Sequence, residues 1–193
     1  MKKLGCIALL VVLGFAGYGA YYAAYPPRVG GVAFKELPPA TQKERRVEAQ
    51  KLVEQVEDVA RAAKKDEKKS FILTATEEQL NTLLQDRLRT EKFPIRDLRA
   101  GLSPNLLTLQ GTINYQGFDA PATMTGTVSA QGGALQFKVD TLQIAGIPMG
   151  SWKEKAQKAV DSSLNKAFGN GNNTRINSVK IESGLLTVTG QTG

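Results

Sequence analysis

The chain has 193 residues, a formal net charge of +7, a single cysteine and no histidine. With Cys6 alone, no disulfide or cysteine metal cluster forms within one chain, and the usual triads, imidazole bases and zinc sites are excluded. The basic surplus reads first as a solvated surface; if it meets an acidic partner, anionic lipid headgroups or cell-wall polymers fit an extracytoplasmic setting better than nucleic acid.

Lys2 and Lys3 precede 24 residues without a charge, Leu4 to Pro27. As a helix, the apolar run Leu4–Ala24 is long enough to cross roughly 30 Å of hydrocarbon. A cleaved signal would need a small-x-small site, and Gly17-Tyr18-Gly19 is crowded by tyrosines. Tyr18, Tyr21, Tyr22 and Tyr25 suit the aromatic belt at the outer membrane interface, so an uncleaved anchor is favoured over a cleaved signal. A lipoprotein cysteine is rejected, because Cys6 comes before most of the apolar run. The short basic start stays inside, which places the N-terminus in the cytoplasm and the bulk of the chain outside, on the cytoplasmic membrane. Secretion or release to the periplasm after cleavage is the alternative.

Residues 28–40 form a Pro-rich linker with a Gly-Gly pair. From 41 to 69 the pattern is an amphipathic charged helix, a stalk, with Ala49, Leu52, Val56, Val59 and Ala63 at 3–4-residue spacing before a lysine-rich break, its apolar stripe packing against its own domain or else pairing in a dimer. Residues 70–193 form the main α+β domain. It starts with a short strand, Ser70–Leu73. Thr76-Glu77-Glu78-Gln79 is a capping box that opens a helix bearing Leu80, Leu83, Leu84 and Leu88 on one face. From Ile95 the period changes to two, giving four antiparallel strands with one wet and one covered face. Gly132-Gly133 marks a hairpin, and a phase shift at Asp140-Thr141 marks a bulge. Gly146–Gly150 reads as a break. Ser151–Glu154 is a second capping box, before a helix faced by Trp152, Ala156, Ala159, Val160, Leu164 and Phe168. Two final strands meet at Ser183-Gly184. Small residues on the covered face (Gly111, Ala122, Gly126, Ala130) leave space for a ligand or admit a close helix.

Catalytic patterns are weak. Ser163-Leu-Asn-Lys166 has the S-x-x-K spacing, but it falls late in a helix and no K-T-G accompanies it. Paired carboxylates such as Glu77-Glu78 serve a helix start. The expectation is a protein that is not an enzyme, with no cofactor, no metal site and no nucleic-acid partner.

The order of anchor, strand, capped helix with TEEQLN, meander, G-I-P turn, helix and final hairpin resembles bacterial membrane-anchored domains of the tubular lipid-binding (TULIP-like) superfamily. The resemblance covers about residues 70–190 and rests on Phe71–Asn81 and Gly146-Ile-Pro148. It implies a curved antiparallel meander packed on two amphipathic helices, a half-barrel, that binds or handles a lipid or lipid-linked glycan without catalysis. The lipid-contacting candidates are then Leu80, Leu84, Leu88, Leu107, Leu109, Ile113, Met124, Val128, Leu135, Phe137 and Leu164. The competing reading is a scaffold in cell-envelope assembly without a ligand pocket, docking a protein partner through residues 41–65 or an exposed sheet edge.

Overall fold

The computed structural model describes residues 37–90, 95–115, 118–168 and 173–193. The expected anchor and its tyrosines lie outside the described residues. Among the described residues no helix is long and apolar enough to cross a membrane.

The chain is α+β. The elements run α1 (Pro39–Lys64), β1 (Lys69–Thr76), α2 (Glu77–Thr90), β2 (Ile95–Ser103), β3 (Leu106–Tyr115) and β4 (Phe118–Gln131). They continue with β5 (Ala134–Ile144), β6 (Ile147–Pro148), α3 (Gly150–Phe168), β7 (Thr174–Glu182) and β8 (Leu185–Thr192). Two antiparallel sheets form, one ordered β2-β3-β4-β5-β6 and the other β1-β8-β7. The pattern alone showed the meander but not this division. It also showed Gly146–Gly150 only as a break, whereas Ala145 and Gly146 at positive φ turn the chain back so that Ile147 pairs with Ile144.

Local chemistry accounts for the boundaries. Pro39 opens α1 because a missing N–H costs nothing in the first turn. At α2 the Thr76 Oγ1 accepts the Gln79 N–H at 3.1 Å and the Gln79 side chain accepts the Thr76 N–H at 2.9 Å, so the capping box is formed. Gly132 and Gly133 both take positive φ, as a two-residue hairpin turn requires. Thr125 pairs with Thr141 and Gly126 with Val139, which leaves Asp140 bulged as its phase shift indicated. A second bulge lies in β2, where Asp97 has φ 51° and the register slips between Arg96 and Arg99.

The two sheets meet end-on. β7 crosses the β2–β3 and β4–β5 hairpin ends, and its backbone is bonded to them. The Ile176 N–H donates to Gly133 O at 2.7 Å, the Asn105 N–H to Ile181 O at 3.0 Å, and the Gly184 N–H to Leu102 O at 2.9 Å. One contiguous core joins both sheets and the helices.

The helix at 39–64 is part of this core rather than a free rod. Its Ala49, Leu52, Ala62 and Ala63 are buried, and Leu52 packs in the central cluster with Val56 and Val59 beside it. Burying Leu52 contributes on the order of 1.5–3 kcal/mol. Arg45–Glu78 at 2.8 Å and Arg46–Asp86 at 3.3 Å tie α1 to α2. These partly exposed pairs add little.

Candidate functional site

All eleven lipid-contacting candidates fall in or against the one core cluster. Eight of them are buried: Leu80, Leu84, Leu107, Leu109, Met124, Leu135, Phe137 and Leu164. Leu88, Ile113 and Val128 are half-buried against it. The candidates thus share one apolar interior but are not equally accessible.

The depth of the interior is close-packed. A Cβ placed on Gly126 would lie 2.3 Å from the Phe137 ring and 2.5 Å from Lys138 O. The gap expected at Gly126 is therefore filled by an aromatic side chain from the neighbouring strand. Gly190 repeats the device in the smaller sheet, where a Cβ would sit 2.4 Å from the Phe71 ring. At Gly111 the Ile95 side chain, brought close by the β2 bulge, would be 2.6 Å from a Cβ. At Gly126, Gly190 and Gly111 the place of the missing Cβ is thus taken by Phe137, Phe71 and Ile95.

Along β2 and β5 of the large sheet, helix side chains bond the backbone. Glu77, Asn81 and Gln85 recur at four-residue steps on α2 and meet Leu102, Ala100 and Leu98 at two-residue steps on β2. A helix advances about 6.0 Å in four residues and a strand about 6.8 Å in two, so the two ladders stay in step. The Glu77 carboxylate accepts the Leu102 N–H at 2.8 Å. Asn81 accepts the Ala100 N–H at 2.6 Å and donates to Ala100 O at 2.8 Å, and Gln85 donates to Leu98 O at 2.7 Å. On the opposite side Gln157 of α3 accepts the Val139 N–H at 2.8 Å and donates to Phe137 O at 2.7 Å. Backbone groups of β2 and β5 are thus bonded by helix carboxylate and amide side chains rather than by another strand.

Among the described residues the covered face is less buried at the end of the sheet away from β7. There the covered face continues in two cross-strand rows, Ile95–Ile113–Ala120 and Gly111–Ala122–Ile144–Ile147. Ile95 and Ile144 at the flanks are buried. Between them Gly111, Ile113, Ala120 and Ala122 are only half-buried. Leu88 of α2 and Met149, Trp152 and Ala156 at the start of α3 are half-buried against the same core. At the lip, Phe118 is 77% exposed and Ile147 40%. Among the described residues this end of the covered face is therefore apolar and half-buried, with small residues at its centre.

No family model, curated protein or solved structure matches this chain. Its site is therefore read from its own geometry. Among the described residues no three His, Cys, Asp or Glu side chains gather as a metal site. The side chains of Ser151, Ser163 and Lys166 lie outside the described residues. Charged groups stay at the surface, as in Lys51–Glu48, Arg61–Asp58 and Lys180–Glu182. The half-buried end of the covered face is lined by apolar side chains. Sequence reasoning named its Leu88 and Ile113 but missed Ala120, Phe118 and Ile147. The alternation that ends at Tyr115 and restarts at Phe118 was the available signal.

Proposed function

We propose that this domain binds a lipid or lipid-linked glycan, without catalysis, at the outer face of the cytoplasmic membrane, with the acyl part in a trough between α2 and α3. The observation that carries this reading is the half-open apolar floor of Ile113, Ala120 and Ala122, which ends in an exposed Phe118. A curved, TULIP-like half-barrel is supported by the two bulges in the large sheet, since a bulge bends its strand. The deeper leucines then act as packed walls, and the acyl chain occupies the mouth. The uncharged run Leu4–Ala24 is the tether that keeps the mouth near its ligand.

Native mass spectrometry of the full-length protein purified from cells tests this. A bound lipid mass is expected, and it should be lost when Ala120 and Ala122 are enlarged to Phe. Protein that is ligand-free in every preparation refutes it. A scaffold role is favoured by one observation, the Phe137 ring that closes the Gly126 notch. Its surface would be the charged outer face of residues 41–65, since the apolar stripe of that helix is used internally. In-cell cross-linking from Lys43 or Lys51 to one specific protein, with no lipid bound, would select it.

A further inference from the structure

We infer that the open end of the large sheet, with Phe118 at its tip, docks on the bilayer that carries the chain's own anchor, inserting that side chain among anionic headgroups. This rests on the membrane location in the reading above but not on lipid occupying the trough.

Phe118 is the most exposed large apolar side chain among the described residues, and Ile147 joins it at the same end of the sheet. A phenyl ring held in water at the start of a strand is stabilised when it enters an interface, because its apolar surface leaves water. The acid beside it is neutralised, because Asp119 is ion-paired with Arg96. The first half of α3 starts at this end and carries Lys153, Lys155 and Lys158 against Glu154 alone. Lys155 lies 4.6 Å above the ring of Trp152. An apolar tip beside a basic helix start is complementary to an anionic leaflet, whose negative surface potential attracts lysines close to it.

Tether length selects this occupant over others. Residues 25–38 join the apolar run to α1 and extend at most about 50 Å. The domain is never far from its own membrane, so contact is intramolecular and its effective concentration is high.

The test uses the full-length chain in vesicles of phosphatidylcholine and phosphatidylglycerol, part of the lipid brominated on its acyl chains. Phe118→Trp in a Trp152→Phe background puts a single reporter at the tip. Docking predicts emission quenched roughly twofold or more by bromine about 5–10 Å deep, and weaker quenching without phosphatidylglycerol. Unquenched emission at the water-exposed wavelength overturns the inference. Should the Trp152 change unfold the domain, a nitroxide on Phe118→Cys in a Cys6→Ser background gives the same decision. Greater access to oxygen than to a polar nickel complex supports docking, and the reverse refutes it. Lipid mass measured on the same protein separates the two ideas. Quenching without copurified lipid keeps docking and rejects the trough, and copurified lipid without quenching does the opposite.

Discussion

Asn81→Ala is the sharpest test of the amides that bond the strand backbone. Asn81 bonds both the N–H and the C=O of Ala100, at 2.6 and 2.8 Å, and Ala100 is 0% exposed. Water cannot replace the lost partner, so each stranded backbone group costs about 1–3 kcal/mol. Alanine returns about 0.5 kcal/mol through its better helix propensity. The net loss is roughly 2–5 kcal/mol, a fall in Tm of roughly 4–20 °C for a domain of this size. Thermal and urea denaturation of the chain from residue 37 onward, followed by circular dichroism, measures it. Asn81→Asp keeps the acceptor but sets a carboxylate against Ala100 O, and should be no better than alanine. Lys51→Ala, which removes an exposed ion pair, should stay within about 0.5 kcal/mol. If Asn81→Ala also falls within 0.5 kcal/mol, the amide is not substituting for a neighbouring strand. A β2 that lacks this partner should further show concentration-dependent association by light scattering.

Other outcomes follow from the packing. Gly126→Ala should destabilise the domain by at least about 1–3 kcal/mol in urea titrations. Adding Phe137→Leu should recover only part of that, since the clash with Lys138 O at 2.5 Å remains. Leu52→Ala should cost about 2–5 kcal/mol in the same assay, whereas a free stalk would leave the domain untouched. Thr76→Ala, which breaks the capping box, should cost about 0.5–2 kcal/mol, read as a shift in Tm.

The features legible in the sequence are those whose cause is local. Thr76 and Gln79, the Gly132-Gly133 turn and the Asp140 bulge each follow from neighbouring residues, and each is present. The split into two sheets was not legible, because both sheets have the same alternation and only the pairing of Lys69 with Thr192 separates them. Asn81, Gln85 and Gln157 were equally hidden. A polar helix position that faces a strand edge looks like one that faces water. In the trough, burial separates what the apolar pattern merges, since Leu109 and Ile113 alternate identically while one is buried and the other half-open.

The pairing of β1 with β8 has a consequence in time. β1 is the first strand of the domain to be synthesised and β8 is the last, and Lys69 meets Thr192 across more than a hundred intervening residues. The Thr192 hydroxyl also closes on Glu67 O at 2.5 Å, at the end of α1. A ribosome adding about 5–20 residues per second leaves β1 unpaired for several seconds or more. During that interval Phe71 has no Gly190 to rest on, and the exposed strand is open to pairing with other chains. The domain completes its smaller sheet only when its last strand arrives, so its vulnerable period is set by the speed of synthesis.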